Sequence, residues 1–161
     1  MSEETPASSD EEREQKALEL KAAGNKKYSA KDYTEAIDLY SQAIATFARP
    51  EFYGNRAAAY IAVNKFKKGL QDCLSALELD ANFRKAYIRG IKCYTELAQF
   101  ENAQKFAQSG LEKFPNDKEL KQGFDRVNII KNKLNRIDQK LSAVSLKYDS
   151  FFESALNPQA S

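Results

Sequence analysis

The chain has 161 residues, 42% hydrophobic and 30% charged, and only 6 glycines and 4 prolines to interrupt helices. That length suits one domain, or one domain with an extension, of a helix-rich globular protein. It has no histidine, which removes the commonest general base and a frequent metal ligand, and no apolar run reaches the ~18 residues of a membrane span.

Cys73 and Cys93 have no metal-site or disulfide-framework spacing. With no signal peptide at the start, two buried or half-buried thiols in a reducing compartment are expected, cytoplasmic with the nucleus also open to the protein. The net charge of +2 is uneven. Glu3, Glu4, Asp10, Glu11, Glu12 and Glu14 stand against Arg13 alone in residues 1–15. This polar, acidic start is expected to be a disordered tail over 1–15. Ser8 and Ser9 precede Asp-Glu-Glu and read equally as phosphorylation sites or as part of a solubilising tail.

After the tail, helical patterning starts near residue 17 and runs to about 30. Asp32, with Glu35 three residues on, is an N-cap for a second helix. Pro50 suits the first turn of a third. Further helices are expected near 50–63 and 84–97, and Asn116-Asp117 after Pro115 reads as a fresh N-cap. From there to Leu156 no proline interrupts, so one long amphipathic helix is expected over 117–156, with a frayed tail at 157–161. Strand signals are scarce, and no Asn-Gly or Asp-Gly hairpin turn occurs.

A period of 33 to 34 residues underlies these elements. Leu20, Gly24, Ala36, Tyr40 and Ala43 recur as Tyr53, Ala57, Gly69, Cys73 and Ala76, then as Tyr87, Ile91, Ala103, Ala107 and Gly110. Small residues stay small at the third and fifth registers, where closely crossing helices leave no room for more. A unit of this kind cannot bury its apolar face alone, so successive units stack. The pattern resembles the tetratricopeptide repeat (TPR) family, as repeats 17–49, 50–83 and 84–116 within a domain of 16–116. The resemblance implies an all-α, right-handed solenoid of three helix pairs closed by a C-terminal capping helix. Two residues depart from it: Lys27 stands where the family usually has an aromatic, and Gly69 replaces the usual alanine.

In such domains the first helix of each pair lines the concave groove. LKAAGNKKY, YGNRAAAY and RKAYIRG resemble the carboxylate-clamp subclass, whose residue types match at Lys21, Asn25, Asn55, Lys85 and Arg89. The chemistry fits: cations and amides supply charge-assisted and neutral donors to the two carboxylates of a chain-terminal aspartate. The resemblance implies a co-chaperone that binds the Glu-Glu-Val-Asp tails of seventy- and ninety-kilodalton heat-shock chaperones. Tyr28, Ile88 and Lys92 are expected to touch residues before that terminus. Another acidic peptide, or assembly of a multiprotein complex, is the alternative role for the same scaffold.

No phosphate-binding glycine loop, GxSxG or paired-cysteine motif is present, so no catalysis, cofactor or metal is expected. Dispersed positive charge argues against nucleic acid. In the last helix, Val127, Ile130, Leu134, Ile137, Leu141, Val144, Tyr148 and Phe151 follow a 3-4 spacing, the heptad pattern of a coiled coil. Two readings stay open there: self-association or partner binding through residues 127–151, or a break near Ser142–Ser145 that folds the end back.

Overall fold

The computed structural model describes residues 6–156, and among these every regular element is a helix. In chain order they are α1 (Pro6–Ser29), α2 (Tyr33–Thr46), α3 (Pro50–Ala62), α4 (Phe66–Leu79), α5 (Arg84–Glu96), α6 (Phe100–Lys113) and α7 (Lys118–Leu156). Turns of three or four residues join them, short enough to force neighbours to pack antiparallel. The result is a helix-pair solenoid with a long C-terminal helix. No helix among the described residues is long and apolar enough to cross a membrane. The chain divides into two compact units, one through Phe124 and one from Asp125 onward.

The repeat registers are the packing surface of the first unit. Gly24, Ala57 and Ile91 are all buried, as are Ala36, Gly69 and Ala103, and Ala43, Ala76 and Gly110. Each cluster of the core joins successive helices, as Ala17 of α1, Ala43 of α2 and Phe52 of α3 do. Ala57, Cys73, Ala76 and Ala86 repeat the arrangement one unit on. Cys73 and Cys93 are both free and buried. The start of α7 covers the third pair: Leu120 is fully buried, and its Cδ2 stands 3.3 Å from where a Gly110 methyl would be.

Within each pair the turn has one geometry. Lys31, Asn64 and Ala98 take positive φ of 63°, 58° and 57°. The next amide in each case, of Asp32, Lys65 or Gln99, donates back to Lys27 O, Tyr60 O or Tyr94 O at 2.8–2.9 Å. This is a Schellman closure, repeated three times.

Three expectations are revised or explained. Residues 6–15 of the expected disordered tail over 1–15 are helical, because α1 starts at Pro6; residues 1–5 and 157–161 lie outside the described residues. The extra turns have partners: Glu14 pairs with Arg49, and Arg13 pairs with Asp10 at 2.9 Å and donates to Thr46 O at 3.2 Å. At Lys27, the missing aromatic is replaced by an ion pair to Glu35 across α1 and α2 at 2.6 Å, with Tyr28 and Tyr33 stacked edge to face beside it. At Gly69, a methyl would stand 3.3 Å from both Cys93 Sγ and Ile61 Cγ1, so the bulk of those neighbours takes the space alanine would need.

One buried ion pair orients α3. Arg56 binds Asp72 of α4 bidentately at 2.7 and 2.8 Å and reaches Ser41 of α2 at 2.9 Å, with its guanidinium over the Tyr53 and Tyr60 rings. Burial pushes the Asp72 carboxyl up, and the hydrogen bonds to Arg56 offset only part of that. Holding Arg56 inward fixes which way its neighbour Asn55 faces.

Candidate functional site

α3 packs against both α1 and α5, so these three helices lie side by side. Lys21 and Asn25 come from α1, Asn55 from α3, and Lys85 and Arg89 from α5. Asn55 Nδ2 donates to Asn25 Oδ1 at 3.1 Å, although 30 residues separate the two. Tyr40 of α2 donates its hydroxyl to the same oxygen at 2.7 Å. With Oδ1 taken twice, the N–H groups of the Asn25 carboxamide form no hydrogen bond among the described residues, and Asn55 keeps its carbonyl and a second N–H.

Burial pushes the Tyr40 hydroxyl up to about 12, with Tyr28 adding to the shift and Arg89 opposing it. Tyr40 therefore remains a donor at neutral pH. Its ring fits because residue 24 is glycine: a methyl there would stand 2.6 Å from Tyr40 Cε1.

Arg89 is the unusual member. Its Nη1 is buried and has no hydrogen-bond partner. Desolvation is the largest influence on the guanidinium and lowers its pKa from the ordinary arginine value. Nη1 lies 3.1 Å from where a methyl on Gly54 would be, so the side chain spans from α5 to the backbone of α3 beside Asn55. Leaving a charged donor buried and unpaired is costly, and a ligand's acceptor would remove that cost.

Lys21 is half-buried and Lys85 exposed, each one turn from its companion on the same helix. Among the described residues neither forms an ion pair, and neither does Arg89. The three helices thus carry three cationic side chains and two amides that bind no carboxylate among the described residues, and the contacts join Asn25 to Asn55 and place Arg89 beside Gly54. Such a set can hold an anion with two or more oxygens.

The outer three residues are placed less decisively. Tyr28 packs in a core cluster with Ala36, Tyr40 and Ala59. Ile88 is half-buried and Lys92 exposed on α5, and no hydrogen bond joins either to the five central residues. Reasoning from the sequence missed Tyr40 and Gly54. A signal existed: both asparagines follow glycine, in Gly24-Asn25 and Gly54-Asn55, and glycine inside a helix costs about 1 kcal/mol unless close approach requires it.

No family model matches the chain. Individual proteins do. It is 35% identical over 115 residues to the Protein STIP1 homolog of Dictyostelium discoideum, covering 71% of this chain and 20% of that protein. The chain therefore spans about a fifth of the length of this curated relative. Among solved structures, the first TPR of Spaghetti (RPAP3), bound to the HSP90 peptide SRMEEVD, is 34% identical with a TM-score of 0.69, covering 72% of this chain and 93% of that one. The second TPR domain of human RPAP3, in complex with the HSP70 peptide SGPTIEEVD, is 26% identical with a TM-score of 0.69, covering 72% and 98%. From the repeated helix pairs, the recurring Schellman turns and this identity across nearly the whole of a solved TPR domain, the chain belongs to the tetratricopeptide repeat family.

Proposed function

We propose that this chain is a chaperone adaptor that docks the acidic C-terminal tail, Glu-Glu-Val-Asp, of seventy- and ninety-kilodalton heat-shock chaperones on the α1–α3–α5 face, and that it carries out no catalysis. One observation carries the reading: Arg89 Nη1 is a buried cationic donor with no partner, beside two hydrogen-bonded asparagines whose remaining groups are free. The peptides bound to the two RPAP3 domains, SRMEEVD and SGPTIEEVD, end in the tetrapeptide such a site would take.

In this reading Lys21, Lys85 and Arg89 donate charge-assisted hydrogen bonds to the terminal aspartate's two carboxylates. Asn25 and Asn55 satisfy the remaining carboxylate oxygens and the last peptide groups. Ile88 and Lys92 meet the residues before the terminus, with Tyr28 forming part of the wall. Each charge-assisted bond contributes roughly 1.5–3 kcal/mol.

Calorimetric titration with a peptide ending in Glu-Glu-Val-Asp-COOH, beside its C-terminally amidated form, tests this. Binding of the acid, lost on amidation and weakened by salt, is the expected result. Equal binding of both forms would point to an internal acidic peptide as ligand, and binding of neither would remove the clamp.

A further inference from the structure

The second unit presents a surface that the peptide site does not use. From Asn132 to Leu156 every residue of α7 is exposed. Leu134, Ile137, Leu141, Val144, Tyr148 and Phe151 form one stripe on it, each between 40% and 66% exposed. Their 3-4-3-4-3 spacing is that of a coiled-coil seam, with Leu134, Leu141 and Tyr148 at a positions and Ile137, Val144 and Phe151 at d. A row of large apolar side chains this open marks a surface for a protein or membrane partner.

The flanking charge says which helix. On the g flank, one residue before each a position, stand Arg126, Lys133, Lys140 and Lys147, all cationic at seven-residue spacing. The e positions, Lys131, Asp138, Ser145 and Phe152, do not answer them.

A second copy pairs badly in either direction. Antiparallel coils set g against g′, which places lysine against lysine. Parallel coils set g against the e′ residue of the next heptad. Lys133 then meets Asp138, but Arg126 meets Lys131, and Lys140 and Lys147 meet no acid. Leucine at a with isoleucine or valine at d is also the reverse of the choice that favours parallel dimers.

We infer that this stripe docks an amphipathic helix of a different protein, with Asp or Glu along the flank that faces Arg126, Lys133, Lys140 and Lys147. Such a partner answers every cation of the row, and the same row repels basic-flanked helices. A chain built this way links whatever binds the α1–α3–α5 face to a second, acidic-flanked partner.

The test uses the whole chain and a four-heptad peptide with Leu at a and d and Glu at every e and g, compared with a counterpart carrying Lys at those positions. Sedimentation of the chain alone should give a monomer. Calorimetry should give binding of the Glu peptide about tenfold or more tighter than the Lys peptide, with the margin shrinking as salt rises. K133E/K140E/K147E should reverse the preference, while L141D should abolish binding without altering the thermal transition of the first unit. Arg89→Met and saturating Glu-Glu-Val-Asp peptide should leave Glu-peptide binding unchanged, which separates this site from the clamp. Three results would overturn the inference: a dimer or tetramer of the chain alone, equal affinity for the two peptides, or binding to phosphatidylserine vesicles without binding to the Glu peptide.

Discussion

Asn55 Nδ2 lies 3.1 Å from Asn25 Oδ1, so two amides on different repeats share one hydrogen bond. Because Tyr40 occupies the same oxygen from α2, one acceptor ties three helices together and sets the direction of the Asn25 amide.

Tyr40→Phe removes one of those two donors. The Asn25 amide is then held by Asn55 alone, and peptide affinity should fall several-fold. Stability should drop by about 1 kcal/mol, the net contribution of a typical hydrogen bond. Titration calorimetry and urea denaturation of the same variant measure the two effects.

Arg89→Met keeps a long unbranched side chain and removes the buried, unpartnered charge. Affinity for the Glu-Glu-Val-Asp peptide should fall by about tenfold or more. The melting temperature should hold or rise, since no native hydrogen bond to Nη1 is lost. A lower melting temperature with unchanged affinity would give Arg89 a purely structural role.

Gly54→Ala sets helix propensity against packing. Alanine is favoured by about 1 kcal/mol in a helix interior, but its methyl would stand 2.6 Å from Phe83 Cε1 and 3.1 Å from Arg89 Nη1. The ring is held at the base of α5, so overpacking should win, with a net loss of about 1–2 kcal/mol in urea denaturation. Weaker peptide binding should accompany it as Arg89 is displaced.

Ala98→Gly should stabilise the protein. Ala98 sits at φ 57°, where a β-carbon is strained and glycine is not. After glycine's larger entropy cost, a gain of about 0.5–1 kcal/mol is expected. Differential scanning calorimetry should register it as a rise of about 1–4 °C. Gly at position 64 should gain less, because asparagine already tolerates this conformation.

Asp117 adds a pH-dependent contribution where α6 meets α7. The hydrogen bond from Arg84 and the amides of Leu120 and Glu119 hold its carboxyl down to about 2. The unfolded carboxyl titrates near 3.9, roughly. The folded state therefore keeps the charge to lower pH, and the stabilisation is complete above pH ~4 and lost as pH falls through about 2. Asp117→Asn keeps an N-cap acceptor but not the charge, so denaturation midpoints followed from pH 5 to pH 2 should fall less steeply in that variant.

Much of the architecture was legible in local chemistry. The small residues at fixed registers marked where helices cross, and Asp32 and Asp117 announced the helices they cap: Glu35 N donates to Asp32 at 3.3 Å, and Leu120 N to Asp117 at 2.9 Å. The start of α1 was misread, because an acidic composition suggests disorder and says nothing of Arg49, 35 positions beyond Glu14, which pairs with it. Lys27 likewise looked like a defect until its partner Glu35 came into view across the turn.

By itself, the sequence determined the repeat, the helices and the kinds of side chain on the first helix of each pair, since each follows from periodicity, capping and residue chemistry over a few turns. It also set the apolar and basic rows of α7, which need only the 3.5-residue spacing of a helix. Tertiary structure alone decided that Asn25 and Asn55 share a hydrogen bond, that Tyr40 donates to the same oxygen, and that Arg89 Nη1 lies buried and unpaired near Gly54. Those are properties of groups brought together from distant parts of the chain, and desolvation has no value for a residue until its neighbours are in place.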